Sequence, residues 1–157
     1  MVARVPDHDE WDWRVSIADV VHDGPFSMLP GVDRVIAVVE GEGMVLTVDG
    51  IEHRVLAATG AVAFDGSATT SCRLLAGPVR DLNLMVRRGR ASGSMEVIDV
   101  VTSVAVDGSA VWVVVAGEVT FAGELLVPGD AVIDDVGELH PIGPARVARI
   151  RVGPAPA

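Results

Sequence analysis

The segment VIAVVEGE at residues 35–42 returns as VWVVVAGE at residues 111–118, and this repetition decides how the chain is expected to fold. Each copy is a valine-rich run that ends at a glycine turn, which is typical of a strand that enters a hairpin. The spacing between matching segments shrinks from 76 to 69 to 66 residues, so we expect two copies of one β unit, the second with shorter hairpins. The two later matches are Gly60–Ala63 with Gly129–Val132 and Pro78–Arg80 with Pro144–Arg146.

Short apolar segments rich in β-branched residues recur about every ten residues along the chain, separated by glycine, proline and aspartate. The step Asp49-Gly50 is the clearest two-residue hairpin turn. No window has the 3.6-residue periodicity of an amphipathic helix over about ten residues. Residues 91–103 fit either a helical turn or a strand, and the rest of the pattern predicts a β-sandwich or a barrel.

The second copy also carries a spacing that is typical of cupin barrels. Gly129, Gly137 and His140 reproduce the intervals of the second cupin motif, although Asp135 and Pro144 stand where that motif has proline and asparagine. A cupin is a small antiparallel jelly-roll barrel. We therefore predict an all-β, double cupin-like fold, a bicupin of RmlC-like jelly-roll type, built as a β-barrel or sandwich within a single chain.

The chain of 157 residues is long enough for one well-buried domain and short for two independent ones. Residues 1–157 are expected to form a single compact domain, with cupin-like halves at about 13–90 and 95–152. No apolar run approaches the roughly 18 residues that span a bilayer, and the N-terminal sequence lacks the apolar core of a secretory signal. Together with a single cysteine, Cys72, this predicts a soluble cytoplasmic protein without an internal disulfide.

The charge of the chain narrows the range of partners. The formal net charge is -10, which repels phosphate backbones, so we expect no nucleic acid and no membrane among the partners. All 12 basic residues are arginine, which excludes Schiff-base and Walker lysines. The absence of tyrosine removes a further acid–base candidate. The oligomeric state stays open between a monomer and a homodimer.

Motifs for metal binding and for nucleophilic catalysis are weak. No two histidines stand at the HxH spacing that cupin metal sites use, so we predict no metal and no cofactor. Cys72 lies inside an apolar run and is interpreted as a small core residue. The sequence GSAT at residues 66–69 lacks the second glycine of a nucleophile elbow, and no catalytic residue is predicted. The histidines are His8, His22, His53 and His140.

Two polar stretches fall on predicted strands. DLNLM places Asp81, Asn83 and Met85 on one face and its leucines on the other, and WRVSIADV alternates Arg14 and Ser16 with apolar residues. A sheet with one solvated face has the same alternation, so the sequence alone leaves open which way the polar face points. If it points inward, it meets arginines across a pocket, and a guanidinium–carboxylate hydrogen bond contributes roughly 1.5 to 3 kcal/mol.

Several motifs in a fixed order resemble the HutD/Ves family. They are WRVSIADV, the turn GPFS, LPGVDR before a run that ends in EGEG, the DG hairpin, the F-DG-S step and DLNLMVRRG, and they are dense between about Trp13 and Gly89. The resemblance implies a compact double-cupin fold, a cytoplasmic location, an association with histidine utilisation and no known catalytic activity. It also implies the pocket residues Arg14, Ser16, Phe26, Ser27, Arg34, Asp81, Asn83 and Met85.

Three functions are compatible with these residues. The first is non-catalytic binding of a small carboxylated metabolite, such as N-formylglutamate, by Arg14 and Arg34, with Asn83 and the serines fixing its orientation. The second is a metal-independent isomerase or hydrolase that uses Asp81 as its base and His140 as an auxiliary group. The third is a regulatory module whose acidic surface docks a protein partner.

Overall fold

The computed structural model describes residues 3–5 and 10–155. Within these residues the regular secondary structure consists of β-strands. No helix that could cross a membrane occurs among these residues. The strands are β1 (Ala3–Val5), β2 (Trp13–Val20), β3 (Gly24–Pro25), β4 (Val32–Glu40), β5 (Met44–Val48), β6 (Ile51–Val55), β7 (Val62–Asp65), β8 (Thr70–Leu74), β9 (Val79–Arg87), β10 (Ala91–Val100), β11 (Val104–Asp107), β12 (Val111–Ala116), β13 (Val119–Phe121), β14 (Glu124–Leu126), β15 (Ala131–Val132), β16 (Val136–Pro141) and β17 (Ala145–Pro154).

The prediction of an all-β fold is confirmed, and the segment that the sequence left undecided is a strand through Val100. This strand, β10, pairs with β17 over its whole length, from Ala91 opposite Pro154 to Val100 opposite Ala145. Asp49 and Gly50 both have positive φ, which is the backbone of the predicted two-residue hairpin turn between β5 and β6.

Each half of the chain is a sandwich of two sheets. In the first half the order β1-β2-β9-β4-β7 lies over β3-β8-β5-β6, and in the second half β10-β17-β12-β15 lies over β11-β16-β13-β14. Apart from the additional β1, the two halves have the same strand order, position for position. The internal repeat read from the sequence is therefore a repeat of topology as well.

The two halves also share their local irregularities. β4 shifts its register against β9 after Val38, and β12 shifts against β17 after Val114. Gly41 and Gly117 follow these bulges with positive φ, and a Cβ at either position would collide with the backbone carbonyl of the residue just before the neighbouring strand, Pro78 or Pro144. Only glycine fits such a conformation at so close an approach, which explains why both copies keep a glycine there.

A broad apolar core lies between the two halves. Leu82 and Leu84 of β9 are completely buried in it, in one cluster with Val113 of β12 and Ile150 of β17. Alternate residues of a strand point to opposite faces of its sheet. Because the leucine face of β9 packs against the second half, its other face has to line the interior of the first half.

Truncation of a side chain in this shared core is expected to destabilise the protein strongly. Leu84→Ala should lower the free energy of unfolding by about 2 to 5 kcal/mol, because it leaves a cavity in a fully buried cluster. Leu125→Ala is the matched control, since Leu125 is 52% exposed, and it should change stability by less than about 0.5 kcal/mol. Urea denaturation followed by far-UV circular dichroism measures both. Equal losses for the two variants would contradict a shared core.

Candidate functional site

The register of β2, β9 and β4 brings the polar residues of three strands together on the inner face of the first half. Residues that stand opposite each other in antiparallel strands point to the same side of the sheet, so the side chains of each row point into the interior of the first half. Three rows cross β2, β9 and β4 in that order, and they are Arg14–Met85–Arg34, Ser16–Asn83–Ile36 and Ala18–Asp81–Val38.

A cavity of about 420 Å³ opens above these rows. The polar face of DLNLM therefore points inward, which is the question that the sequence left open. Ala18, Val20 and Leu29 complete the lining. All of the pocket residues predicted from the sequence line this cavity, namely Arg14, Ser16, Phe26, Ser27, Arg34, Asp81, Asn83 and Met85.

Arg34 is the most confined cation of the cavity. It is only 5% exposed, and its guanidinium carbon lies 5.2 Å from the ring centre of Phe26 and 5.3 Å from that of Phe64. Its Nη1 donates a long hydrogen bond of 3.5 Å to the carbonyl oxygen of Ser27, and its buried Nε has no hydrogen-bond partner. The two rings hold the guanidinium by cation–π attraction and leave donors without protein acceptors.

Arg14 reaches the same cavity from the opposite side of β9. Its Nη2 lies 3.1 Å from the sulfur of Met85, and its guanidinium carbon lies 5.3 Å from the ring centre of Trp11. Its Nε is buried without a hydrogen-bond partner. Since neighbouring strands lie about 5 Å apart, the backbones that carry Arg14 and Arg34 are separated by about 10 Å.

Asp81 and Asn83 supply buried acceptors between the two arginines. Asp81 is 2% exposed and Asn83 is 5% exposed, and Oδ1 of each lacks a hydrogen-bond partner. Burial raises the pKa of Asp81 to about 6, although the charge of Arg34 and a hydrogen bond with the Ala18 backbone act in the opposite direction. The same burial lowers the pKa of Arg34, which Asp81 partly offsets.

The segment after β3 forms one wall of the cavity. β3 pairs with β8, and the amide of Phe26 then donates a 2.8 Å hydrogen bond to the carbonyl of Thr70. The amide of Leu29 donates a 2.7 Å hydrogen bond to the carbonyl of Gly66. These bonds keep the Phe26 ring against Arg34 and leave the exposed Ser27 at the rim.

Two aromatic residues contact the arginines of the cavity, and the sequence analysis did not assign either of them to the site. Phe64 stands opposite Arg34 in the pairing of β4 with β7, and its ring contacts the guanidinium. Trp11 packs on Arg14 and also on Arg87, whose guanidinium carbon lies 5.0 Å from the ring centre. An aromatic residue next to a strand gives no sequence signal of its own, because only the register places it beside an arginine.

The corresponding rows of the second half carry a different set of charges. There the middle row is Glu96–Arg149–Trp112, and Arg149 donates a 2.6 Å hydrogen bond to the carboxylate of Glu96. The guanidinium carbon of Arg149 also lies 5.7 Å from the ring centre of Trp112. In this copy the arginine is already neutralised by a protein carboxylate, so it is not available to an anion in the way that Arg34 is.

The remaining candidates lie outside the cavity. His140 is exposed on β16, where its Nδ1 is 2.8 Å from the hydroxyl of Ser103, and it cannot assist Asp81. Cys72 is a buried residue of the first-half core, and burial raises the pKa of its thiol. His8 falls outside the described residues. Within residues 3–5 and 10–155, no group of three or more His, Cys, Asp or Glu side chains is placed to hold a metal ion.

Comparison with known proteins identifies the family of this chain. The sequence profile of the HutD family matches residues 1–135. The chain belongs to the HutD family. It is 42% identical over 91 residues to an uncharacterised 21.2 kDa protein of Pseudomonas putida that is named for the hutC 3′ region. That match covers 58% of this chain and 48% of the relative, so the chain spans about half the length of that relative.

Solved structures agree with the fold of this HutD-family chain. HutD from Pseudomonas fluorescens SBW25, determined in a formate condition, is 33% identical, with a TM-score of 0.75 over 96% of this chain and 86% of that one. A cupin 2 conserved barrel protein from Leptotrichia buccalis is 10% identical, with a TM-score of 0.60 over 96% of this chain and 88% of that one. The second likeness bears on the fold alone, and the predicted double cupin-like architecture is confirmed.

The raised pKa of Asp81 predicts a stability that depends on pH. The folded-state pKa, about 6, lies above the ordinary value of 3.8, so the folded protein loses stability as pH rises through the range between them. Asp81→Asn removes this loss, and its free energy of unfolding relative to wild type should rise by up to about 3 kcal/mol between pH 4 and pH 7. Ser16→Ala is the control, since it alters the same cavity without removing a titratable group. Urea denaturation across this pH range measures the difference, and a constant difference for Asp81→Asn would contradict the prediction.

Proposed function

We propose that this protein binds a small carboxylated metabolite in the cavity of its first half and does not transform it. The proposal takes N-formylglutamate as the representative ligand and connects the protein with histidine utilisation. Its support from the comparisons is membership of the HutD family and a relative that is named for the hutC 3′ region. Its support from the chain itself is the arrangement of charge described above.

The observation that carries the proposal is the buried guanidinium of Arg34. A cation that is 5% exposed has lost most of its hydration, and the nearest carboxylate of the cavity, Asp81, makes no ion pair with it within 4.0 Å in the described part of the chain. A charge held in this way is costly unless an anion approaches it. A ligand carboxylate beside Arg34 would supply that anion and accept from donors that the protein leaves unused.

Arg14 extends the site to a second carboxylate. The two arginines flank Met85 in one row, with backbones about 10 Å apart, and both side chains are long enough to converge above the sulfur. A small molecule with two carboxylates, or one carboxylate shared by both guanidiniums, fits this spacing. The thioether of Met85 provides an apolar floor for the carbon chain between them.

Asn83 and the two serines would orient the ligand. The amide of Asn83 is buried one row away from the arginines, with its Oδ1 unbonded, so it can accept from a ligand N–H group. Ser16 lies beside it in the same row, and Ser27 stands at the rim. An amide or amine nitrogen near one carboxylate of the ligand would therefore be held at a defined position.

The first test of the proposed binding function removes the charge of Arg34. Isothermal titration calorimetry with N-formylglutamate, glutamate and urocanate should detect binding of at least one of them at millimolar concentration or below. Arg34→Met keeps the length and the apolar stem of the side chain and removes its charge. It should weaken binding by about tenfold to a hundredfold, the equivalent of one charged hydrogen bond.

Arg149→Met is the matched control, because Arg149 also packs on an aromatic ring but belongs to the second half. It should leave the affinity unchanged. Absence of binding by all three compounds to a folded protein would contradict the ligand class. An equal loss in both variants would mean that the affinity follows general stability instead of the charge of Arg34.

A catalytic alternative is favoured by one observation, the burial of the Asp81 carboxyl group in the cavity lining. A carboxyl group with a pKa of about 6 inside a cavity is suited to accept a proton near neutral pH, as a metal-independent isomerase or hydrolase would require. In any assay that detects turnover, Asp81→Asn should abolish it without weakening ligand binding, because the amide keeps the shape of the side chain. Full turnover in that variant would exclude Asp81 as the base.

A further inference from the structure

The charges inside the cavity do not match those of a dicarboxylate. Two guanidiniums, those of Arg14 and Arg34, and one carboxylate, that of Asp81, line it and leave an excess of one positive charge. A dicarboxylate brings two negative charges and would leave an excess of one negative charge next to Asp81, which is itself 2% exposed. A negative charge beside a buried carboxylate is unfavourable, so a further positive charge would stabilise the complex with such a ligand.

We propose that the cavity takes up one proton with each dicarboxylate that it binds, and that Asp81 receives this proton. The inference rests on the proposed function, since it concerns the ligand of the same cavity. Protonation restores charge balance and converts an unbonded acceptor into a donor. Asp81, whose Oδ1 has no hydrogen-bond partner, could then donate to an oxygen of the ligand.

None of the charged or titratable groups described around Asp81 is better placed than Asp81 to take up the proton. Arg34 faces it from β4 and Arg14 from β2, and both are already cations. Asp19 follows Ala18 on β2, but its carboxylate is exposed and paired with Arg80 at 2.9 Å. From β8, the thiol of Cys72 faces Asp81, and burial raises its pKa, so it is neutral before any ligand arrives.

The segment before β3 completes these surroundings. The carboxylate of Asp23 accepts a 2.8 Å hydrogen bond from the amide of Leu74, and the side chain of His22 is exposed and does not line the cavity. Asp81 is thus the carboxylate of the cavity lining that is both buried and short of a partner. Its pKa of about 6 in the free protein means that little further stabilisation of the neutral form is needed near neutral pH.

The ligands themselves provide a control for this inference. N-formylglutamate is a dianion near neutral pH and requires the proton. Glutamate has the same two carboxylates and an ammonium group, which can pair with ionised Asp81 and leaves the charges balanced without a proton. Proton uptake should therefore accompany N-formylglutamate and be absent with glutamate.

Calorimetric titration of each ligand at pH 7, repeated in buffers with different heats of ionisation, measures the number of protons taken up. We expect a value approaching one for N-formylglutamate and near zero for glutamate. The affinity for N-formylglutamate should also fall by up to about tenfold for each pH unit between about pH 6 and pH 8, since the ionised form of Asp81 has to be neutralised on binding.

Two variants test which group takes up the proton. Asp81→Asn should abolish the uptake and bind N-formylglutamate at pH 7.5 about tenfold or more tightly than wild type, because the amide is already neutral. Asp99→Asn, which removes an exposed carboxylate outside the cavity, should keep the uptake of the wild type. Far-UV circular dichroism of each variant verifies that it is folded, and the buffer series on the wild type does not depend on any variant.

The possible failures are distinguishable. Binding of N-formylglutamate without proton uptake would overturn this inference and leave the proposed function in place. Uptake that persists in Asp81→Asn would overturn the assignment to Asp81. Absence of heat with both N-formylglutamate and glutamate between pH 5.5 and pH 8 would overturn this inference, and if urocanate also gives no heat, the proposed function is contradicted as well.

Discussion

The structure depends on one constraint, which is that a strand has only two faces. In β2, β9 and β4 one face belongs to the apolar core between the halves, where Leu82, Leu84 and Val15 are completely buried. The alternate residues therefore have to point into the first half. Polar residues at these positions become a concave charged surface, and the position of Asp81 and Arg34 follows from the packing of the leucines beside them.

The two halves use one topology in different ways. Both keep the strand order, the bulge and the glycine after it, because these features determine how the backbone closes. Their interiors differ in charge balance. In the second half Arg149 pairs with Glu96 and packs on Trp112, whereas in the first half Arg34 packs on aromatic rings without an ion pair to Asp81 within 4.0 Å in the described residues. The arginine of the second half is therefore paired within the protein, whereas Arg34 of the first half faces a cavity.

Much of the fold was predictable because its signals are local. The valine-rich repeats, the Asp49-Gly50 turn and the regular spacing of breaks each report on backbone conformation over a few residues. The candidate residues were named through motifs of the HutD/Ves type, and the structure places them around one cavity. Phe64 and Trp11 were not assigned to the site, because their contact with arginines depends on the register of β7 and on the course of the chain before β2.

The sequence by itself determined the all-β class, the duplication and the chemical types available for a site, since periodicity and composition are properties of neighbouring residues. Only the tertiary structure decided that Asp81 and Asn83 face inward and that Arg14 and Arg34 flank Met85. It also decided that His140 lies apart from them. The physical reason is that an alternating strand has the same pattern whichever face is buried, and the choice is made by what packs against it from the distant half of the chain.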